Sequence, residues 1–302
     1  MRILVTGAAG YIGSTLVRFL RARGLEVVGT DQSDPADVIG NIAYPQFARS
    51  LITPDTSAVF HLASLVSGGA EQNFELGTKV NLDATRDLLE ACRLAGQRPK
   101  FLFASSIAVY SGVEAVTDET SPRPRLSYGT QKLVCELLIE DYTRRGFVEG
   151  TSLRLPTVMV RPGGANTAVS GWASAIIREP LAGRDYVCPV RPDTRMACIS
   201  VGRVVEAFFH AYQLPPEALG SQRTALLNGI PVSAQQMHDA ARGPGKVRFE
   251  PDPALQKIMD AVPKATSSQR AIKLGFPHSA NIEEIVDEYK KDHPDSPLAR
   301  NG

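Results

Sequence analysis

Ile3-Leu4-Val5-Thr6-Gly7-Ala8-Ala9-Gly10-Tyr11-Ile12-Gly13 decides the fold. The apolar run Ile3-Leu4-Val5 suits a buried strand, and Leu16, Val17, Phe19 and Leu20 follow at helical spacing. Between them, glycines let the backbone turn tightly and approach a pyrophosphate. The free N–H groups that open the helix can then receive that charge. Asp31 closes the next apolar stretch, Glu26–Thr30. A carboxylate there accepts hydrogen bonds from ribose hydroxyls and repels a 2′-phosphate. Gln32-Ser33-Asp34 supplies no arginine to hold such a phosphate, which favours NAD over NADP. The competing readings are a ligand-free turn for the loop and a turn-forming aspartate for Asp31.

Outward from this stretch, strand and helix patterns alternate, which implies a parallel sheet covered on both faces. Strands are expected at Arg2–Thr6, Glu26–Thr30, Ala58–Leu62, Lys100–Phe103 and Gly150–Leu155, with a short one near Asn41–Tyr44. Helices are expected at Ile12–Arg23, Leu76–Ala95, Ser127–Arg145, Trp172–Arg178, Val201–Tyr212 and Asn281–Lys290. The fold class is α/β: a Rossmann-type doubly wound parallel sheet with a smaller C-terminal substrate lobe. Residues 1–162 read as the nucleotide-binding domain, rejoined by about 195–230, and 163–302 mainly as the substrate lobe.

Composition narrows the classes. A net charge of +1 gives no bulk attraction for nucleic acid or an anionic membrane. No apolar stretch approaches the roughly 20 residues of a membrane span. Met1 leads straight into a strand, so no targeting segment is expected. Cys92, Cys135, Cys188 and Cys198 form no CxxC pair, and neither a disulfide framework nor a metal site is expected. A reducing cytoplasm fits that usage.

Tyr128 and Lys132 lie four apart at the start of a predicted helix and share one face. A cation beside a phenol favours the phenolate, and a base poised nearer neutrality can take a proton from an alcohol. Ser106 lies just past a strand end, where such sheets place their ligands, and its hydroxyl can bond the reacting oxygen. The bland alternative is a helix-surface pair. Asn81 is either a fourth member of this set or a packing asparagine.

These pieces together resemble the extended short-chain dehydrogenase/reductases, the NAD-dependent epimerase/dehydratase type. They are GxxGxxG at Gly7–Gly13, His61-Leu62-Ala63, Ser105–Tyr110, Tyr128-Gly129-Thr130-Gln131-Lys132 and Leu155-Pro156-Thr157. The resemblance implies catalysis by Ser106, Tyr128 and Lys132, with Asn81 supporting a proton relay through its backbone. It implies NAD held by Gly7, Gly10, Tyr11, Ile12, Gly13, Asp31, Leu62, Ala63, Tyr128, Lys132 and Pro156. It also implies a homodimer, often through the helix that bears Tyr128. One departure is visible: Val109-Tyr110-Ser111 stands where many members have Val-Tyr-Gly.

Dehydratases of this type usually carry Thr-Asp-Glu where this chain has Ser106-Ile107-Ala108, which argues against dehydration. Five stretches are similar to the D-erythronate dehydrogenase group: Ser127–Lys132, Leu153–Gly163, Ile177–Gly183, Val187–Thr194 and Gly275–Pro277. That similarity implies oxidation of the C2 hydroxyl of a small sugar acid such as D-erythronate, or reduction of the matching ketone. The implied substrate residues are Ser67, Ser106, Tyr128, Asn166 and Arg195. Arg195 is the first choice for a carboxylate anchor, ahead of Arg161 and Arg191. The rivals are a sugar-nucleotide epimerase with tightly bound NAD and a non-catalytic NAD-sensing regulator.

Overall fold

Each apolar stretch alternates its side chains between two faces, and both faces need cover. In the computed structural model, which describes residues 1–163 and 168–293, seven parallel strands satisfy this. In spatial order they are Thr224–Leu226, Glu149–Leu155, Lys100–Ser106, Thr56–His61, Arg2–Thr6, Val27–Asp31 and Val38–Ile39. Ile3 and Val5 point to one face, where Leu16, Leu20, Val204 and Phe208 pack with Phe60 and Leu102. Leu4 points to the other, against Leu88, Leu89, Phe101, Phe103 and Ile139. Each fully buried Leu or Phe of this kind is worth ~1.5–3 kcal/mol. The chain order reverses beside Arg2–Thr6, and that switch point opens a crevice at the carboxyl ends of the strands.

Two expected elements differ. The short strand falls at Val38–Ile39, not near Asn41–Tyr44. Two β-branched residues suit the sheet edge, whereas the Asn41 side chain accepts from the Ala43 N–H at 2.9 Å and closes a turn. The expected Leu76–Ala95 helix starts at Phe74 and widens into a π-helical stretch at Thr78–Asp83, then runs as Ala84–Ala95 to a left-handed Gly96. The wide turn frees the Asn81 carbonyl to accept from Thr85 Oγ1 at 2.7 Å and Cys135 Sγ at 3.2 Å.

The second lobe has its own core of Trp172, Ile176, Ile177, Val232, Met237 and Val286. A three-stranded sheet of Ile230–Ser233, Arg195–Ser200 and Thr157–Met159 roofs the crevice. Between Arg195–Ser200 and Thr224–Leu226, the helix Val201–Gln213 returns to the main sheet and packs on Tyr11–Arg21. Among the described residues, no helix is long and apolar enough to cross a membrane.

Candidate active site

The crevice is a cavity of about 790 Å³ between the main sheet and the second lobe. Its nucleotide end is built from backbone. Gly7 has φ +73°, and a side-chain carbon there would meet the Ala63 nitrogen at 2.7 Å. One on Gly13 would overlap the Gly7 carbonyl. Both places therefore require glycine. Tyr11–Arg21 starts at Gly10 with no acidic residue in its first turn, so its free N–H groups present positive charge to the cavity. Gly10, Tyr11, Ile12, Leu62, Ala63 and Pro156 line the same space. Asp31 accepts from the Ala9 N–H at 3.0 Å and the Gln32 N–H at 2.7 Å. Each carboxylate oxygen keeps a lone pair for a ribose hydroxyl. A groove only glycine can form, a helix start free of acid and a carboxylate at the strand end fit a dinucleotide without a 2′-phosphate.

Tyr128, Lys132 and Ser106 meet at the middle of the cavity. Ser105 does not compete for the role, because its hydroxyl donates to buried Glu136, which Arg154 grips at 2.7 Å. Ser106 Oγ accepts from the Ala108 N–H at 3.1 Å, and its hydroxyl acts to lower the Tyr128 pKa. Ser64, which the sequence did not single out, acts on the Tyr128 hydroxyl in the same direction. Burial raises the Tyr128 phenol above its ordinary value, while the hydroxyls of Ser64 and Ser106 and the charge of Arg161 pull it down. The expected lowering by Lys132 is not what dominates. Lys132 is itself desolvated and its ammonium is pushed down to about 8. Its Nζ lies 4.6 Å from the Phe103 ring centroid and 5.5 Å from that of Tyr128.

Asn81 is not at the cavity wall. Its Oδ1 accepts from Ser64 Oγ at 2.9 Å and the Leu65 N–H at 2.8 Å, and its Nδ2 donates to Gln131 Oε1 at 2.7 Å. Its backbone carbonyl, the group a relay would use, accepts from Thr85 Oγ1 and Cys135 Sγ. Behind it, His61 is wholly buried. Thr6 Oγ1 already receives the N–H groups of Leu62 and Ala63, so it gives its own proton to Nδ1 at 2.7 Å. Thr85 gives its proton to Asn81 O, so it receives Nε2–H at 2.9 Å. The ring is held neutral, and burial depresses its pKa to about 3.

Toward the second lobe, Ser67 lines the cavity as expected. Arg195 does not: it is exposed, opposite Ser233 at the start of its strand, and its neighbour Met196 faces the cavity instead. Strand parity forces this, since adjacent residues point to opposite faces. Asn166 lies outside the described residues. Among the described residues, the cations that do line the cavity are Arg125, Lys132, Arg161 and Lys257, against the single carboxylate Asp31 at the nucleotide end. Lys257 comes from the helix Pro253–Ala261, far along the chain, and no local motif marks it.

The model of the NAD dependent epimerase/dehydratase family matches residues 3–222. A D-erythronate dehydrogenase of Cupriavidus necator is 42% identical over 97% of this chain and 98% of its own length. One of Haemophilus influenzae is 38% identical over 96% and 98%. Among solved structures, a protein described as the nucleoside-diphosphate-sugar epimerase from Agrobacterium tumefaciens superposes with a TM-score of 0.91 at 33% identity, covering 99% of this chain and 96% of its own.

Proposed function

The chain belongs to the NAD-dependent epimerase/dehydratase family, and we propose that within it the protein is an NAD-dependent dehydrogenase that oxidises the C2 hydroxyl of D-erythronate or a closely similar small sugar acid. The observation that carries the reading is the charge of the cavity beyond Tyr128. Arg125, Arg161 and Lys257 line it, and among the described residues no lining carboxylate other than Asp31 opposes them. A small anion is what such a site attracts. The similarity to two dehydrogenases of a four-carbon acid supports the same class.

In this reading Ser106 holds the substrate hydroxyl and Tyr128 removes its proton. Lys132 supplies positive charge beneath the phenol, and Gly7–Gly13 with Asp31 hold the dinucleotide. Bound NAD supplies the hydride acceptor. Apolar Leu62 and Val158 line the same cavity as Tyr128. The epimerase reading has a specific support in the Agrobacterium structure's description. The two differ in where the electrons finish: a dehydrogenase releases NADH, an epimerase returns the hydride. A panel of C4–C6 sugar acids and nucleotide sugars, followed at the nicotinamide absorbance band, tests this. Net NADH with D-erythronate is expected; isomerised nucleotide sugar with no net NADH removes the proposal.

A homodimer fits the exposed apolar residues on two neighbouring helices, Phe74 at 67% exposure and Leu137 at 62%. Sedimentation equilibrium returning a monomer at micromolar concentration removes that part.

A further inference from the structure

We propose that Arg161 is the residue that binds the substrate carboxylate. The proposal rests on the sugar-acid reading above and adds the anchor that recognises the acid. Arg161 follows the strand Thr157–Met159 and opens into the cavity beside Tyr128. Its backbone is fixed at both ends: the N–H donates to Ser174 Oγ at 3.0 Å, and the carbonyl accepts from Arg178 Nη1 at 2.7 Å. Arg178 is buried and paired with Glu179 at 2.9 Å, so the strut is rigid.

The side chain is different. Neighbouring arginines of this lobe are committed: Arg191 to Asp260 at 2.9 Å and Arg203 to Glu284 at 2.8 Å. Arg161 pairs with no carboxylate among the described residues, although it is partly buried. A desolvated cation without a partner costs stability, and burial already weakens its hold on its proton. A fold that keeps such a group at a cavity wall gains only when an anion arrives. Its charge acts on the hydroxyl of Tyr11, at the start of the glycine-loop helix, and on that of Tyr128 at the reacting centre, so it stands between the two ends of the cavity. Arg125 and Lys257 line the cavity too, but both are exposed side chains that water screens. A guanidinium also matches a carboxylate with two parallel bonds.

The dinucleotide's pyrophosphate is the other anion within reach. The start of Tyr11–Arg21 already presents N–H groups to it, with no acid in the first turn. The two sources separate experimentally. Wild type, Arg161→Met and Arg161→Lys are compared with D-erythronate, with its uncharged amide, and in titrations with NADH alone. Arg161→Met is expected to raise KM for the acid about 10–150-fold, the range of a charge-assisted bond. It should leave the amide's KM and the NADH Kd within about twofold, with Arg161→Lys in between. Without substrate, the melting temperature of Arg161→Met should equal or exceed that of wild type, because an unpaired buried charge is gone. Equal losses on acid and amide, a loss confined to NADH, or a markedly lower melting temperature each overturns the anchor. Wild type that turns over neither compound overturns the dehydrogenase reading with it, whereas normal acid turnover by Arg161→Met overturns the anchor alone.

Discussion

At Gly7 the cavity depends on backbone, and at Arg161 on which way a side chain points. Gly7, Gly13 and the start of Tyr11–Arg21 have one allowed geometry, because any side chain would collide with Ala63 or the loop itself. The second lobe has no such constraint. Arg195 and Met196 are adjacent, and strand parity alone sends the methionine to the cavity and the arginine to solvent. Specificity for the nucleotide is therefore carried by a short local stretch. In the proposed reading, recognition of the substrate falls to Arg161, which lies far from that stretch in sequence.

The largest effect should come where the halves meet. Tyr128→Phe removes the proton acceptor and should lower kcat by ~10²–10⁴-fold, with NADH affinity nearly unchanged. Stopped-time assays and fluorescence titration of the same preparation check both parts; near-normal turnover would detach the chemistry from this junction.

Next comes the nucleotide side. Asp31→Ala should weaken NAD about 10–150-fold, the span of a hydrogen bond to a charged group, and narrow the preference over NADP. Dissociation constants for the two cofactors decide it. Equal losses for both would mean that Asp31 merely ties down the Ala9 amide.

His61 sharpens the comparison through pH. Its folded pKa of about 3 lies below the ordinary 6.5. Between those values the unfolded chain binds a proton that the folded chain refuses, so stability falls as pH drops from 6.5 toward 3. The slope from this group is about 1.4 kcal/mol per pH unit, or tenfold in the folding constant. Denaturant midpoints at pH 7, 6 and 5 for wild type and His61→Gln measure it; identical pH slopes in the two would show that His61 does not set it.

The smallest effect belongs to Arg195→Met. An exposed arginine outside the cavity should change KM for a sugar acid by less than about twofold. A tenfold rise would return the carboxylate to Arg195 and undo the contrast with Arg161.

This division also explains what could be read in the sequence. Five of the seven sheet strands, the glycine loop and the convergence of Ser106, Tyr128 and Lys132 follow from local apolar patterns and fixed spacings, whereas the three-residue strand Thr224–Leu226 is too short to show one. The edge strand at Val38–Ile39 was hard to place because two residues make no periodicity. Asn81 showed in the sequence but its position did not, since a π-helical turn breaks the 3.6-residue count that would locate it. Ser64 follows directly after His61-Leu62-Ala63, and that adjacency was the available signal for it. Placing Arg195 ahead of Arg161 depended on which face of the strand Arg195–Ser200 meets the cavity, and spacing alone does not give that face.

The central claim is that one cavity joins a dinucleotide site to a sugar-acid site, with electrons passing from C2 of the acid to the cofactor. D-Erythronate carrying deuterium at C2 tests it directly, by mass spectrometry of the reduced cofactor after turnover. Deuterium is expected in the NADH, with none retained at C2 of the product. Unlabelled NADH, or deuterium returned to the sugar with no net reduction of NAD, would contradict it.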